Sequence, residues 1–207
     1  MTQSPVTPEQ MDAIREVVNI GAGHAATNLS ALTGLTVMIS VPRIQWADPD
    51  VPPALPGTGD LVLITVPITG VSEAGGERAS LILATETALR MVALMLRRDP
   101  AQHQEVGDFE RSALMEMGNI VCAAYVGVLG TFLHKGVMIG TPEMSVGPRE
   151  ELEDPTAHGL VIETDFTFLA TTFEGVFVLS HSDVSFASLL TALGFRDVKH
   201  PGGAAAA

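Results

Sequence analysis

Two sets of polar residues recur in this sequence with the same internal spacing. In each set an acidic or hydroxyl residue is followed four positions later by glutamate, three positions further by asparagine, and later by proline. The matched pairs, each 100 residues apart, are Asp12 and Ser112, Glu16 and Glu116, Asn19 and Asn119, and Pro42 and Pro142. Spacings of four and three place the first three members of each set on one face of a helix.

The chemistry open to a glutamate beside an asparagine is narrow. Asparagine has no proton that titrates near neutrality, but its amide can donate one hydrogen bond and accept another. It can therefore hold a water in line with an electrophile, which is what phosphoryl transfer chiefly requires. The glutamate could act as an acid, a base, a metal ligand or half of an ion pair. Because Ser112 replaces Asp12, a protein-bound metal cage is not expected at the second face.

A solvated helix face is the ordinary interpretation of a glutamate and an asparagine three residues apart. Asparagine, however, is a poor residue for the middle of a helix, because its side chain competes for backbone hydrogen bonds. Here it takes the same place in two helices, at Asn19 and Asn119. This repetition favours a functional face over a solvated one.

The elements that carry these faces also repeat, which indicates a duplication. Thr7, Pro8 and Gln10 form a capping box for the first helix, and Gly34 suits its end. Residues 60–67 and 79–84 in the first half, and 159–166 and 175–180 in the second, have the composition of strands. Each half therefore reads as a helix, strands and a second helix. The sequence predicts one α/β domain over residues 1–207, built of repeats at about 8–100 and 108–200 around a shared sheet, with a flexible tail at 201–207.

Composition excludes several classes of protein. The chain has 207 residues, 46% of them hydrophobic, and a net charge of -13, with 24 Asp and Glu against 11 Lys and Arg. A disordered chain or a nucleic-acid binder would not have this composition. One cysteine, Cys122, excludes a disulfide scaffold and suits a cytoplasmic protein. The uninterrupted apolar run that begins at Ile120 is too short for a membrane span, so a buried helix is expected.

The two sets resemble the signature of the CheC/CheX/FliY chemotaxis phosphatases, and the Asn-Ile-Gly-Ala-Gly stretch at residues 19–23 is similar to that family too. Two complete motifs make the CheC type the nearest branch. The resemblance implies a mainly antiparallel sheet with two long motif helices packed on it. It also implies a cytoplasmic phosphatase acting on the aspartyl phosphate of a CheY-like response regulator.

By the same resemblance, Asn19 and Asn119 would orient the attacking water, and Glu16 and Glu116 would contact the regulator's lysine. No cofactor of its own is implied, since a divalent metal such as Mg²⁺ would be bound by the regulator. A CheD-type receptor deamidase is a second candidate partner. The alternative is a non-catalytic adaptor that binds a regulator or such a deamidase without turnover.

Other features have ordinary interpretations. Residues 21–26 match a dinucleotide fingerprint, but a capped helix precedes them where a strand is required, so close helix packing or partner approach is expected instead. Cys122 is expected to be a small buried residue. Arg43 could contact a phosphate or serve only as a surface residue, and Trp46 could belong to the core or to an interface. Residues 48–59 and 147–158 are expected to be loops, and residues 70–76 a hairpin turn.

Overall fold

A computed structural model describes residues 6–47, 55–73, 75–99, 105–152, 159–180 and 183–195. It contains four α-helices, namely α1 (Pro8–Thr33), α2 (Thr85–Met95), α3 (Asp108–Leu133) and α4 (Asp183–Ala192). Its seven strands are β1 (Val37–Trp46), β2 (Leu61–Thr69), β3 (Arg78–Ala84), β4 (Met138–Ile139), β5 (Glu143–Gly147), β6 (Leu160–Phe168) and β7 (Thr171–Ser180). The predicted α/β class and the order of elements in each half are confirmed. The proposed repeat boundaries and the tail at 201–207 stay predictions, and that tail lies outside the described residues.

The seven strands form one antiparallel sheet in the order β1-β6-β7-β3-β2, with β4 and β5 both pairing with β2. The order is symmetric about the β7–β3 pair. The first strand of each half pairs with the second strand of the other half, as β1 does with β6 and β5 with β2. The duplication predicted one sheet shared by both halves; the halves do share a single sheet, and their strands are interleaved in it.

Helix α1 begins and ends as its sequence predicts. The Thr7 hydroxyl accepts from the Gln10 backbone N–H, and the Gln10 side chain accepts from the Thr7 backbone N–H, so the capping box is complete. Gly34 ends the helix in the left-handed region at φ 65° and donates its N–H to the carbonyl of Ser30. Its buried stripe runs from Ile14 to Leu29 and is widened by Val17 and Gly21.

Helix α3 occupies the centre of the helical layer and contacts α1, α2, α4 and four strands. Its length and mean hydropathy would suffice for a membrane crossing, yet 56% of its most apolar stretch is buried inside the protein. The sequence expectation counted only the uninterrupted apolar run that begins at Ile120. The helix is apolar over a longer stretch, and several neighbouring elements bury its sides. Gly118 lets it approach the sheet, since a Cβ there would lie 2.7 Å from Ile64 Cγ2.

The main core lies between the helices and one face of the sheet, where large side chains such as Phe166 and Phe177 are fully buried. A smaller apolar cluster lies on the other face and includes Leu63, Val161 and Val178. The strands extend slightly beyond the predicted ranges, β7 beginning at Thr171 rather than near 175. The segment predicted as a loop from 147 is not wholly irregular, because Arg149–Glu151 forms a 3-10 turn. Residues 48–54 and 153–158, also predicted as loop, lie outside the described residues.

Candidate functional site

The motif face of α1 is open to solvent. Asp12, Glu16, Asn19 and Gly23 are all exposed, and they follow one another at helical spacing opposite the stripe that packs on α3 and the sheet. Ile20, next to Asn19, is also exposed over 38% of its surface. The structure therefore brings the sequence-predicted residues of the first set together on one surface of one helix.

The matching face of α3 is less open. Ser112 and Glu116 are exposed, but Asn119 and Ala123 are half-buried, as is Ile120. The Ser112 hydroxyl donates to the carbonyl of Asp108 at 2.9 Å, the usual local bond of a serine in a helix. The two faces are thus related in sequence and unequal in accessibility, because α3 is surrounded by more elements than α1.

The glutamate and asparagine side chains of both faces have no partner inside the described protein. Over residues 6–47 and 105–152, Glu16, Asn19, Glu116 and Asn119 make no side-chain hydrogen bond or ion pair. An asparagine placed mid-helix usually finds a local bond or lowers helix stability. These two amides and carboxylates are free to bind something that approaches from outside.

The two prolines mark equivalent breaks in the sheet. Between the Ser40–Asp165 and Arg43–Glu163 pairs, β1 has two residues, Val41 and Pro42, where β6 has one. At the equivalent place in the second half, three residues ending at Pro142 face two residues of β2, between the pairs of β4 and β5 with that strand. The first is a one-residue bulge within β1, and the second is a break between β4 and β5 with one extra residue; a proline at either place costs no ladder hydrogen bond. Pro42 therefore lies within β1 and Pro142 directly before β5, and neither proline is on a motif helix.

Gly21 and Gly23 have different surroundings. A Cβ at Gly21 would lie 2.6 Å from Tyr125 Cδ1, so this glycine permits α1 and α3 to pack closely. A Cβ at Gly23 would meet nothing within 4 Å. The fingerprint-like run at 21–26 lies inside α1 and does not follow a strand, so its geometry is not that of a dinucleotide loop.

Cys122 is fully buried on α3, and burial raises the pKa of its thiol to about 12. Burial also raises the pKa of Tyr125, whose ring stacks on Phe177 with centroids 4.3 Å apart. The expected role of Cys122 as a small buried residue is confirmed. Within the described ranges, no group of three or more His, Cys, Asp or Glu side chains could hold a metal ion.

Arg43 and Trp46 have the structural roles that the sequence left open. The Arg43 guanidinium lies 3.6 Å from the Glu163 carboxylate in an exposed ion pair across β1 and β6. Trp46 is half-buried and packs at 4.3 Å between ring centroids on Phe186 of α4. Arg43 thus has a partner on the sheet, and Trp46 belongs to the edge of the main core.

Comparison with known proteins agrees with this geometry. The family model described as the CheC-like family matches residues 9–45, which span α1 and β1. The CheY-P phosphatase CheC of Bacillus subtilis (strain 168) is 25% identical over 202 residues, covering 91% of this chain and 96% of that protein. The chain is thus similar to CheC-type chemotaxis proteins over most of its length.

Solved structures show the breadth of proteins that share the fold. FliY of Thermotoga maritima matches this CheC-like chain with a TM-score of 0.68 and 22% identity, covering 91% of this chain and 96% of that one. The FliM middle domain from H. pylori matches with a TM-score of 0.65 and 14% identity, covering 90% and 99%. At these identities the similarity concerns the fold alone, so any activity of the CheC-like chain must be argued from its own residues.

Sequence reasoning missed two properties of this site. The unequal burial of Asn19 and Asn119 depends on how many elements surround each helix, and helical spacing alone does not contain that information. The exposure of Ile20 was also missed, although an apolar residue on an otherwise polar face was a usable signal. Together the two motif faces offer hydrogen-bonding and acidic groups on convex helix surfaces, which suits docking to a macromolecule better than enclosing a small substrate.

Proposed function

We propose that this CheC-like chain is a cytoplasmic chemotaxis phosphatase that hydrolyses the aspartyl phosphate of a CheY-like response regulator. The observation that carries the proposal is the pair of mid-helix asparagine and glutamate side chains, repeated in α1 and α3, that have no partner within the described protein. The Bacillus subtilis relative, named a CheY-P phosphatase, supports the substrate class.

In this proposal Asn19 and Asn119 position the attacking water. Each amide enters the regulator's active site and holds a water by one donated and one accepted hydrogen bond, in line with the phosphorus. Attack by that water breaks the bond between phosphorus and the aspartyl oxygen, which releases inorganic phosphate and restores the aspartate. Since neither asparagine changes protonation state, the gain in rate comes from positioning.

Glu16 and Glu116 fix the docking. Each carboxylate lies one helical turn before its asparagine, so a regulator lysine that pairs with the glutamate sets the height of the amide over the phosphate. An exposed ion pair adds little to the binding free energy, but a pair that is desolvated on docking adds more and fixes how the two proteins are positioned. A divalent cation such as Mg²⁺ takes part as a component of the regulator. A CheD-type deamidase is a further candidate partner, for which the described residues offer no specific contact.

The decisive experiment follows the loss of radiolabelled phosphate from the phosphorylated regulator. The wild-type protein is compared with Asn19→Ala, Asn119→Ala and the double variant. Each site that loses its asparagine should lose activity on the order of 100-fold or more. Each single variant should therefore keep only the part of the wild-type activity that its unmutated site contributes. The double variant should approach the regulator's spontaneous rate.

Glu16→Gln and Glu116→Gln separate docking from chemistry. If the glutamates set the docking, these variants raise KM for the phosphorylated regulator more than they lower kcat. A double asparagine variant as active as wild type would overturn the mechanism. Stable binding of the regulator by the wild type, without faster dephosphorylation, would instead identify an adaptor.

A further inference from the structure

Gly23 has no explanation within the fold. A glycine in the middle of a helix is less favourable than alanine by roughly 1 kcal/mol. Most helical glycines here offset this cost, because they allow close packing that a Cβ would prevent. Gly21 and Gly118 would clash with Tyr125 and Ile64 if they carried a Cβ, and Gly130 would crowd Lys135 and Val137, whereas a Cβ at the exposed Gly127 of α3 would meet nothing within 4 Å. A Cβ at Gly23 would meet nothing within 4 Å.

Ile20 is a second unexplained residue on the same face. It exposes 38% of its surface, as one of six large apolar side chains that are exposed within the described residues, and it lies beside Asn19. Glu16, Asn19, Ile20 and Gly23 follow at positions i, i+3, i+4 and i+7, so they form one strip of helix about 10 Å long. We call these four residues the α1 docking strip.

We propose that Ile20 and Gly23 determine which partner the first site accepts, a proposal that rests on the proposed function. The occupant is the phosphorylated receiver domain of the response regulator. Gly23 removes side-chain bulk one turn beyond Asn19, so that the partner's backbone can lie directly against the helix. Ile20 buries its exposed methyl groups against an apolar part of the same partner, while Glu16 supplies the charge that selects a basic group.

The arrangement follows from the order of groups along the strip. Asn19 must reach the phosphate, and a partner loop that surrounds a phosphate extends on both sides of it. On the N-terminal side Glu16 can bind a cation, and on the C-terminal side the bare backbone at Gly23 offers no obstacle. The face of α3 has Ala123 at the position equivalent to Gly23 and a half-buried Ile120. The inference therefore concerns the first site alone.

The test isolates the first site by working in an Asn119→Ala background. Gly23→Ala is compared with that background by thermal unfolding, by kcat and KM for the phosphorylated regulator, and by binding of the beryllofluoride-activated regulator. The expected result is a protein at least as stable as the background whose kcat/KM falls at least tenfold and whose binding weakens. A structural glycine would show the opposite pattern, with lower stability and unchanged kinetics.

Matched controls lie on the same helix. Asn28 is exposed, is also a poor helix former and lies about 180° around α1 from Asn19, so Asn28→Ala should gain stability without changing KM. Ile20→Ala should raise KM roughly tenfold through lost apolar burial. Its control is Leu32→Ala. Leu32 is more exposed, at 49%, and points away from the docking strip.

The failures of the two proposals are distinguishable. If the background dephosphorylates the regulator and Gly23→Ala is equally active, the docking inference is overturned and the phosphatase stands. If the wild type binds the regulator without hydrolysis, the proposed function fails. The docking inference is then still decided by whether Gly23→Ala has a higher Kd for the beryllofluoride-activated regulator than its background has. If the wild type neither binds nor hydrolyses, both are overturned.

Discussion

Gly21→Ala tests the packing that holds the two motif helices together. The new Cβ would stand 2.6 Å from Cδ1 and 3.2 Å from Cα of Tyr125. The second distance involves backbone, so a change of side-chain rotamer cannot relieve it. The ring cannot retreat either, because Tyr125 is buried and stacks on Phe177 at 4.3 Å with a 20° angle between the planes. The helices themselves must therefore separate.

The magnitude follows from two opposing effects. Replacing glycine by alanine in a helix gains about 1 kcal/mol, while overpacking a well-packed site costs about 1–3 kcal/mol. Because the clash here includes backbone, we expect the upper part of that range and a net loss of about 1–2 kcal/mol. For a chain of this size that corresponds to a melting temperature lower by roughly 2–8 °C.

The assay is urea unfolding followed by circular dichroism, with Gly23→Ala as the matched control. Gly23 lies in the same helix, two residues away, where a Cβ meets nothing within 4 Å. Its variant should gain up to about 1 kcal/mol, so the two alanine substitutions should move the midpoint in opposite directions. Equal stability of the two variants would refute the close approach of α1 to α3 at Tyr125.

Three further predictions concern the fold around the site. Thr7→Ala removes the capping box of α1 and should cost about 1 kcal/mol in the free energy of unfolding measured by urea titration; no loss would mean that the cap is not formed in solution. The Cys122 thiol should resist thiol reagents until the protein unfolds. Its pKa rises from about 8.5 in the unfolded chain to about 12 in the fold. The free energy of unfolding should therefore fall as the pH increases through that interval. Rapid labelling of the native protein at pH 8 would contradict its burial. Arg43→Ala should change stability by less than about 1 kcal/mol, because its ion pair with Glu163 is exposed; a much larger loss in the same titration would show that the pair does more than join two strands.

The duplication made much of the fold predictable. Two copies of one motif at a fixed offset predicted equivalent helices, and the capping box at Thr7 placed the start of α1 correctly. The interleaving of the sheet was not predictable in this way. Pairing β1 with β6 joins residues more than 100 positions apart, and local sequence patterns contain no record of such partners.

The candidate faces were predictable only in part. Helical spacing placed Glu16 and Asn19 on one exposed surface, since α1 lies at the outside of the helical layer. The same reasoning applied to α3 does not account for the half-buried Asn119, because neighbouring helices and strands surround that helix. Pro42 and Pro142 were identified as a repeated pair, but their places in the bulge of β1 and in the break between β4 and β5 depend on register, which only the paired strands define.

The central claim is that two asparagines, one on each motif helix, position water for hydrolysis of a regulator's aspartyl phosphate. The measurement that tests it most directly is kcat/KM for dephosphorylation by Asn19→Ala, Asn119→Ala and the double variant. If the sites act independently, the two single-variant values should sum to the wild-type value, and the double variant should leave only the regulator's spontaneous rate. A double variant that retains wild-type kcat/KM would contradict the claim.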